Sequence, residues 1–311
     1  MTQARDAAER LPLRLIGVPM DLGADRRGVD MGPSAFRSAG FSAAVRRLGY
    51  EVRDFGNIEV ATPEVRQFGR SNAKYLDEIV EACDALRAAV LQALEAGEMP
   101  IVVGGDHSIG AGTVAGVAEY HKKHGQPIGL LWIDAHADMN TPESSPSGNV
   151  HGMPLSACLG LGAPELTGLG GFRPKVDPQH VVLIGIRALD RREKEIVHRS
   201  GVHAYTMRDI DERGIAVIMR EAFEYLGNGT AGYHVSLDVD GLDPDIAPGV
   251  GTPVRGGISF REAHLLMELV ADDGRALSFE VAEINPILDH RNKTAEIAVD
   301  LFLSGLGKSI L

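Results

Sequence analysis

Eight short apolar runs punctuate the chain, and most are apolar at nearly every position rather than at every second one. They are Leu13 to Pro19, Tyr50 to Phe55 (the most polar of them), Met99 to Gly105, Ile128 to Ile133, Val181 to Ile186, Val202 to Tyr205, Gly232 to Val239 and Ala276 to Ile284. Such a run reads as a strand buried on both faces, the situation of strands in a parallel sheet. Between the runs lie stretches with helical spacing of apolar residues: Ala73 to Ala96, Ala111 to His124, Arg191 to His198, Ile215 to Leu226 and Thr294 to Leu303. A further helix opens at Pro33, a residue tolerated in a first turn. Strands alternating with helices predict βαβ units, and right-handed crossovers put the helices on both faces. The expected fold is α/β, an open, mostly parallel eight-stranded sheet in a three-layer sandwich, built as a single domain over 1–311.

Composition narrows what such a fold can do. The chain has 311 residues, 44% apolar and 24% charged, enough for one large core. A net charge of −12 argues against a nucleic-acid surface, which needs a basic face, and leans towards a cationic ligand. Cys83 and Cys158 have no C-x-x-C spacing and read as buried thiols of a reduced compartment. Met1 to Arg10 lacks the apolar centre of a secretory signal. No apolar stretch approaches the roughly 20 residues needed to span a bilayer. The expectation is a cytoplasmic protein with no membrane or nucleic-acid partner.

Three of the runs end in metal-type ligands. His107 follows the third, Asp134, His136 and Asp138 follow the fourth, and Asp238 and Asp240 end the seventh. Alternate residues of an extended chain share a face, so continued extension would aim Asp134, His136 and Asp138 the same way. Ligands of open α/β sheets bind beyond the carboxyl ends of the strands, and a parallel sheet puts all three ends on that edge. Two His and four Asp exceed one tetrahedral site and suit two divalent ions, roughly 3.5–4 Å apart in such centres. Oxygen and imidazole donors without thiolate favour Mn²⁺ and admit Co²⁺, Ni²⁺, Fe²⁺ or Zn²⁺. A Ca²⁺ loop over Asp238 to Asp243 is the plainer alternative, but it lacks the EF-hand offsets. Gly110, Gly112 and Gly116 miss the dinucleotide spacing and read as close packing.

Gly104-Gly105-Asp106-His107-Ser108, Asp134-Ala135-His136-Ala137-Asp138 and Ser236 to Pro244, in this order, resemble the motifs of the ureohydrolase family. Members of that family release urea from guanidino compounds at a binuclear manganese site. The chain is most similar to the arginase branch, and to its bacterial members through Asp289 to Ala295. The resemblance implies two Mn²⁺ per subunit, one held by His107, Asp134, Asp138 and Asp238 and the other by Asp134, His136, Asp238 and Asp240. It implies that a hydroxide bridging them attacks the guanidinium carbon of L-arginine, giving L-ornithine and urea. His151 would shuttle a proton, Glu283 would face the guanidinium, and Asp138 would join them as a catalytic residue. Asn140, Ser147, Asn149, Asp190, Glu193 and Thr252 would hold the amino-acid end. Glu280 departs from the family, where a shorter Asp is more usual, and bears on the support of Glu283. A role in arginine metabolism of the urea-cycle kind follows.

The chemistry is self-consistent. A guanidinium carbon is a poor electrophile, so a strong nucleophile is needed at modest pH, and paired metals bring the pKa of a water towards roughly 7. A carboxylate can hold the guanidinium by two hydrogen bonds, and an imidazole can relay a proton to the leaving amine. Agmatine lacks the α-carboxylate of arginine, so the neutral donors Asn140, Ser147 and Asn149 favour arginine, while Asp190 and Glu193 offer anions to its ammonium. Hydrolysis of agmatine or another guanidino compound, a single-zinc deacetylase of similar fold, and a silent metal-binding homologue stay open as alternatives. Arg26 and Arg27 read as a solvated loop. The apolar tail Leu301 to Leu311 is expected to dock on a neighbour, giving with the resemblance a homo-oligomer, a hexamer or a trimer.

Overall fold

The computed structural model describes residues 10–309. Met1 to Glu9 of the polar start and Ile310 and Leu311 of the tail lie outside the described residues. In chain order the strands are β1 (Leu13–Val18), β2 (Val52–Asn57), β3 (Gly69–Arg70), β4 (Ala73–Lys74), β5 (Met99–Gly104), β6 (Gly129–Ile133), β7 (Val181–Ile186), β8 (His203–Thr206), β9 (Tyr233–Asp238) and β10 (Ala276–Ala282). Eight of them form one sheet in the order β2-β1-β5-β10-β9-β6-β7-β8, and every neighbouring pair is parallel. The short pair β3 and β4 is a separate antiparallel hairpin. The eight runs read from sequence are the eight strands of the main sheet.

The order places the site. The chain leaves β5 for β6 and only later fills the gap between them with β9 and β10. Four adjacent strands, β5, β10, β9 and β6, therefore end side by side on the carboxyl edge. Their register sets Trp132 opposite Ser236, Ser236 opposite Glu280 and Glu280 opposite Val102, in one row across the sheet.

Alternation along the strands splits the interior into two cores. Leu131, Ile133, Val235, Leu237, Phe279 and Val281 face one, under the helices Ile215–Gly227, Phe260–Asp273 and Lys293–Gly305. Val102, Leu130, Trp132 and Ala282 face the other, under Leu76–Glu95 and Gly110–Lys123. Those two helices pack closely: a Cβ on Gly112 would meet the Cys83 carbonyl at 2.6 Å, and one on Gly116 the Arg87 carbonyl at 2.7 Å. The glycines serve packing, as their spacing predicts.

Three expectations need correction. The apolar tail does not face outward over most of its length: Leu301, Phe302, Leu303 and Leu306 are buried in the chain's own core. Phe302 there meets Phe36, Phe41 and Phe279. The third helix begins at Leu76, not Ala73, because Ala73 and Lys74 pair in the hairpin and Tyr75 takes a left-handed φ of 52°. The helices Phe41–Arg47, Met207–Arg213 and Phe260–Asp273 were not expected. The last opens with a capping box, Ser259 and Glu262 each bonding the other's backbone N–H, a pattern legible in sequence.

Candidate metal centre and active site

His107, Asp134, His136, Asp138, Asp238 and Asp240 meet at the carboxyl edge, but continued strand is not what brings them together. β6 stops at Ile133, and Asp138 adopts a positive φ of 52°. Asp134 Oδ1 accepts from the backbone N–H of His136 at 2.7 Å, and Asp238 Oδ1 from that of Asp240 at 2.8 Å. Each aspartate thus closes a turn with one oxygen, the local bonding that makes Asp a turn former. The other oxygen faces the cluster.

Asp138 Oδ2, Asp238 Oδ2 and Asp134 Oδ2 lie 3.0, 3.2 and 3.3 Å from His107 Nδ1. His136 Nδ1 lies 3.1 Å from Asp240 Oδ2 and 3.4 Å from Asp134 Oδ1. Neither His107 Nδ1 nor Asp138 Oδ2 has a hydrogen-bond partner among the described residues, although both are buried. Burial first, then repulsion from Asp134, pushes the Asp138 carboxyl up to about 6. Burial and the charges of Asp240 and Asp134 likewise push Asp238 up. Buried anions so arranged call for positive charge. Two overlapping donor sets, His107, Asp134 and Asp238, and Asp134, His136 and Asp240, each converge within 4.8 Å. The residues fit a pair of divalent cations that share Asp134.

A second layer holds the donors, and most of it escapes sequence reading. Ser236 Oγ donates to Glu280 Oε1 at 2.8 Å and so accepts from His107 Nε2, also at 2.8 Å. This leaves the Nδ1 lone pair for a cation, the usual way an outer partner fixes a ligating histidine. Thr113 Oγ1 also donates to Glu280, which is fully buried. Glu280, the departure from the family pattern, therefore bears on His107 through Ser236. Trp132 donates from Nε1 to Asp134 Oδ2 at 3.0 Å and stacks on the His107 ring at 4.1 Å. Its place just before Asp134, as the chain's one tryptophan, was the available signal.

A cleft of about 400 Å³ opens above the cluster, lined among others by His136, Asp138, Ser147, His151, Asp190 and Glu193. Asn140, Asn149 and Thr252 also line it, so every expected amino-acid-end residue reaches this wall. Several are already engaged. Asn140 Nδ2 donates to Asp190 Oδ2, and Ser147 Oγ accepts from the Asn149 N–H. Asp190 caps the helix Arg191–Ser200 through the N–H groups of Arg192 and Glu193. Thr252 Oγ1 donates to Asp240 Oδ2 at 2.6 Å, so its hydroxyl steadies a cluster carboxylate. Buried Glu193 accepts from the Met139 N–H, and burial, then the Asp138 charge, pushes its carboxyl up to about 8.

On an adjoining wall Glu283 Oε1 accepts from the His107 backbone N–H at 3.1 Å and lies 2.9 Å from His151 Nδ1. Glu283 holds a left-handed φ of 66°, a strained conformation for a side-chain-bearing residue. Burial disfavours a charged His151, but the Glu283 carboxylate outweighs it and brings the imidazole up to about 9. Arg26 lies on the same wall, while Arg27 pairs with Asp21 and Glu64.

A parallel sheet whose carboxyl edge gathers two overlapping cation-binding sets beneath an open cleft defines an α/β enzyme of the paired-metal kind. The comparisons with known proteins make this particular. The family profile described as "Arginase family" matches residues 12–307. Arginase from Bacillus caldovelox is 51% identical over 301 residues, covering 96% of this chain and 99% of that protein. Arginase from Bacillus subtilis is 48% identical over 299 residues, with 96% and 99% covered. A solved structure of the Bacillus caldovelox arginase superposes with a TM-score of 0.93 at 50% identity, covering 97% of this chain and all of that one. The chain belongs to the Arginase family, and it is a hydrolase with arginase function.

Proposed function

We propose that the protein hydrolyses L-arginine to L-ornithine and urea with two Mn²⁺ per chain. One ion would be held by His107, Asp134, Asp138 and Asp238, the other by Asp134, His136, Asp238 and Asp240. The observation that carries the reading is the convergence of His107, Asp134, His136, Asp238 and Asp240 in two overlapping donor sets, with Asp138 Oδ2 3.0 Å from His107 Nδ1 and both of those buried atoms lacking hydrogen-bond partners among the described residues. Oxygen and imidazole donors support manganese over thiophilic metals. When bound, the cations supply Lewis acidity that lowers the pKa of a water towards roughly 7.

The chain's own residues do the rest. Glu283, pinned by the His107 N–H, offers its carboxylate to the guanidinium and fixes the carbon beside the cluster. The Glu283 carboxylate against His151 favours the protonated imidazole, and a proton held there is available to the leaving amine. Asp138, with an unpartnered oxygen facing the same centre, completes the catalytic set. Glu193 and Asp190 meet the α-ammonium, and Asn140, Ser147 and Asn149 meet the α-carboxylate, with Thr252 holding the wall between. A site that pairs a polar group rejects analogues lacking it, so arginine is favoured over agmatine.

The whole chain, 1–311, works as one domain, a reading supported by the eight-stranded sheet, whose strands are drawn from Leu13 through to Ala282. A cytoplasmic setting is supported by the two free, buried cysteines. Among the described residues no helix is long and apolar enough to cross a membrane. A homo-oligomer, a hexamer or a trimer, rests on family likeness, and sedimentation of the metal-loaded protein tests it. The function is tested by urea release from L-arginine, agmatine and guanidinobutyrate after manganese loading, beside Asp138→Ala. Arginine preference and an inactive variant are expected; preference for agmatine overturns the substrate assignment.

A further inference from the structure

Three loops that are distant in sequence meet at one ammonium. Lys74, in β4, donates from Nζ to Asp25 Oδ1 at 2.8 Å and to Asn149 Oδ1 at 2.9 Å. Its backbone N–H donates to the Gly148 carbonyl at 2.9 Å. Gly148 has a φ of +74°, and a Cβ there would meet the Ser71 carbonyl at 2.0 Å, so the loop carrying Asn149 lies flush on the hairpin. Hydrogen bonds from Lys74 and, more weakly, from Asn149 hold the Asp25 carboxyl below its usual range. The Asn149 amide is thereby oriented, its oxygen towards the ammonium and an N–H towards Asp25.

We propose that Lys74 is a positioning residue for substrate recognition: it latches the loop Thr141 to Gly152 to the hairpin and turns the Asn149 amide so that its N–H face is the one left for an anionic group in the cleft. The inference deepens the reading above, in which Asn149 meets the α-carboxylate, and it rests on that reading. Without the ammonium to hold it, the amide oxygen would be free to turn towards the carboxylate, and the hydrogen bond from its N–H would be lost. Lys74 carries no net charge into the cleft, because Asp25 balances it. Its effect is confined to ligands that bear a carboxylate. An isolated surface ion pair contributes little; here three bonds from one residue fix a loop and an amide together.

The test uses the manganese-loaded full chain. KM and kcat are measured for L-arginine, and the inhibition constant for agmatine, which lacks the carboxylate. In Lys74→Met the KM for arginine rises about tenfold, the loss of roughly one well-made hydrogen bond. Meanwhile kcat stays within about twofold and agmatine binds as in the wild type. A partly unfolded variant lowers kcat without altering this contrast, so poor folding does not mimic the result. Lys74→Arg restores most of the arginine affinity. The double variant D25N/K74M leaves the net charge of the wild type unchanged and keeps the raised KM. An unaltered arginine KM in Lys74→Met, or its return to the wild-type value in the double variant, overturns the latch. Failure of the wild type to release urea from arginine would instead overturn the proposed function.

Discussion

Glu283 and His151 are partners across the mouth of the cluster, with Oε1 and Nδ1 2.9 Å apart. The imidazole is raised to about 9 against an ordinary 6.5, so the pair stabilises the fold fully below about pH 6.5. That contribution fades as pH rises through about 9, since the folded protein then gives up the proton it held in excess. In metal-stripped protein, Glu283→Gln lowers stability by on the order of 2–3 kcal/mol below pH 6.5 and flattens its fall towards pH 9. In the loaded enzyme kcat/KM falls on the order of a hundredfold to a thousandfold, as for the loss of one partner of a buried charged pair. Urea-release kinetics and denaturant unfolding across pH check both.

Asp134 belongs to both donor sets, His136 to one. Asp134→Ala should bind fewer than one manganese per chain after dialysis, while His136→Ala keeps about one and the wild type two. Elemental analysis against protein concentration reads this directly. Equal loss in the two variants would mean that the sets are not shared as described.

Ser236 joins His107 to Glu280. Ser236→Ala leaves a buried imidazole N–H and a buried carboxylate oxygen without that partner, costing about 1–3 kcal/mol. Metal affinity should fall by about 10- to 100-fold, the usual effect of removing an outer partner of a ligand. Thermal unfolding of the stripped protein and a manganese titration separate the two effects.

In metal-stripped protein Glu193 is pushed up to about 8 by burial and by the Asp138 charge, so there an arriving ammonium must draw off its proton below that pH. The dissociation constant of arginine from that protein, read by calorimetry, should improve as pH rises towards about 8 and then level. Guanidinobutyrate, which has no ammonium, should lack this dependence, and so should arginine with Glu193→Gln. A steep pH dependence surviving in that variant would move the effect elsewhere.

The sheet was legible because a strand buried on both faces must be apolar at successive positions, as Ile128 to Ile133 and Val181 to Ile186 are. The six ligands were legible because polar residues that end such strands share one edge. Their local shape was not: Asp134 and Asp238 bond backbone N–H groups two residues on, and that turn competes with extension. The supports were hidden for a different reason. Glu280 reaches Thr113 across 167 residues of chain, and Lys74 reaches Asn149 across 75; periodicity carries no trace of such pairings. The helix Phe260–Asp273 could have been read from Ser259 and Glu262.

The central proposition is that two cations sit side by side where β5, β6 and β9 end. Anomalous diffraction from crystals of the manganese-loaded protein, recorded at the manganese edge, tests it most directly. Two peaks are predicted, one against His107 Nδ1 and one against His136 Nδ1, both touching Asp134 and Asp238. A single peak in fully active crystals, or two peaks away from these residues, would contradict it.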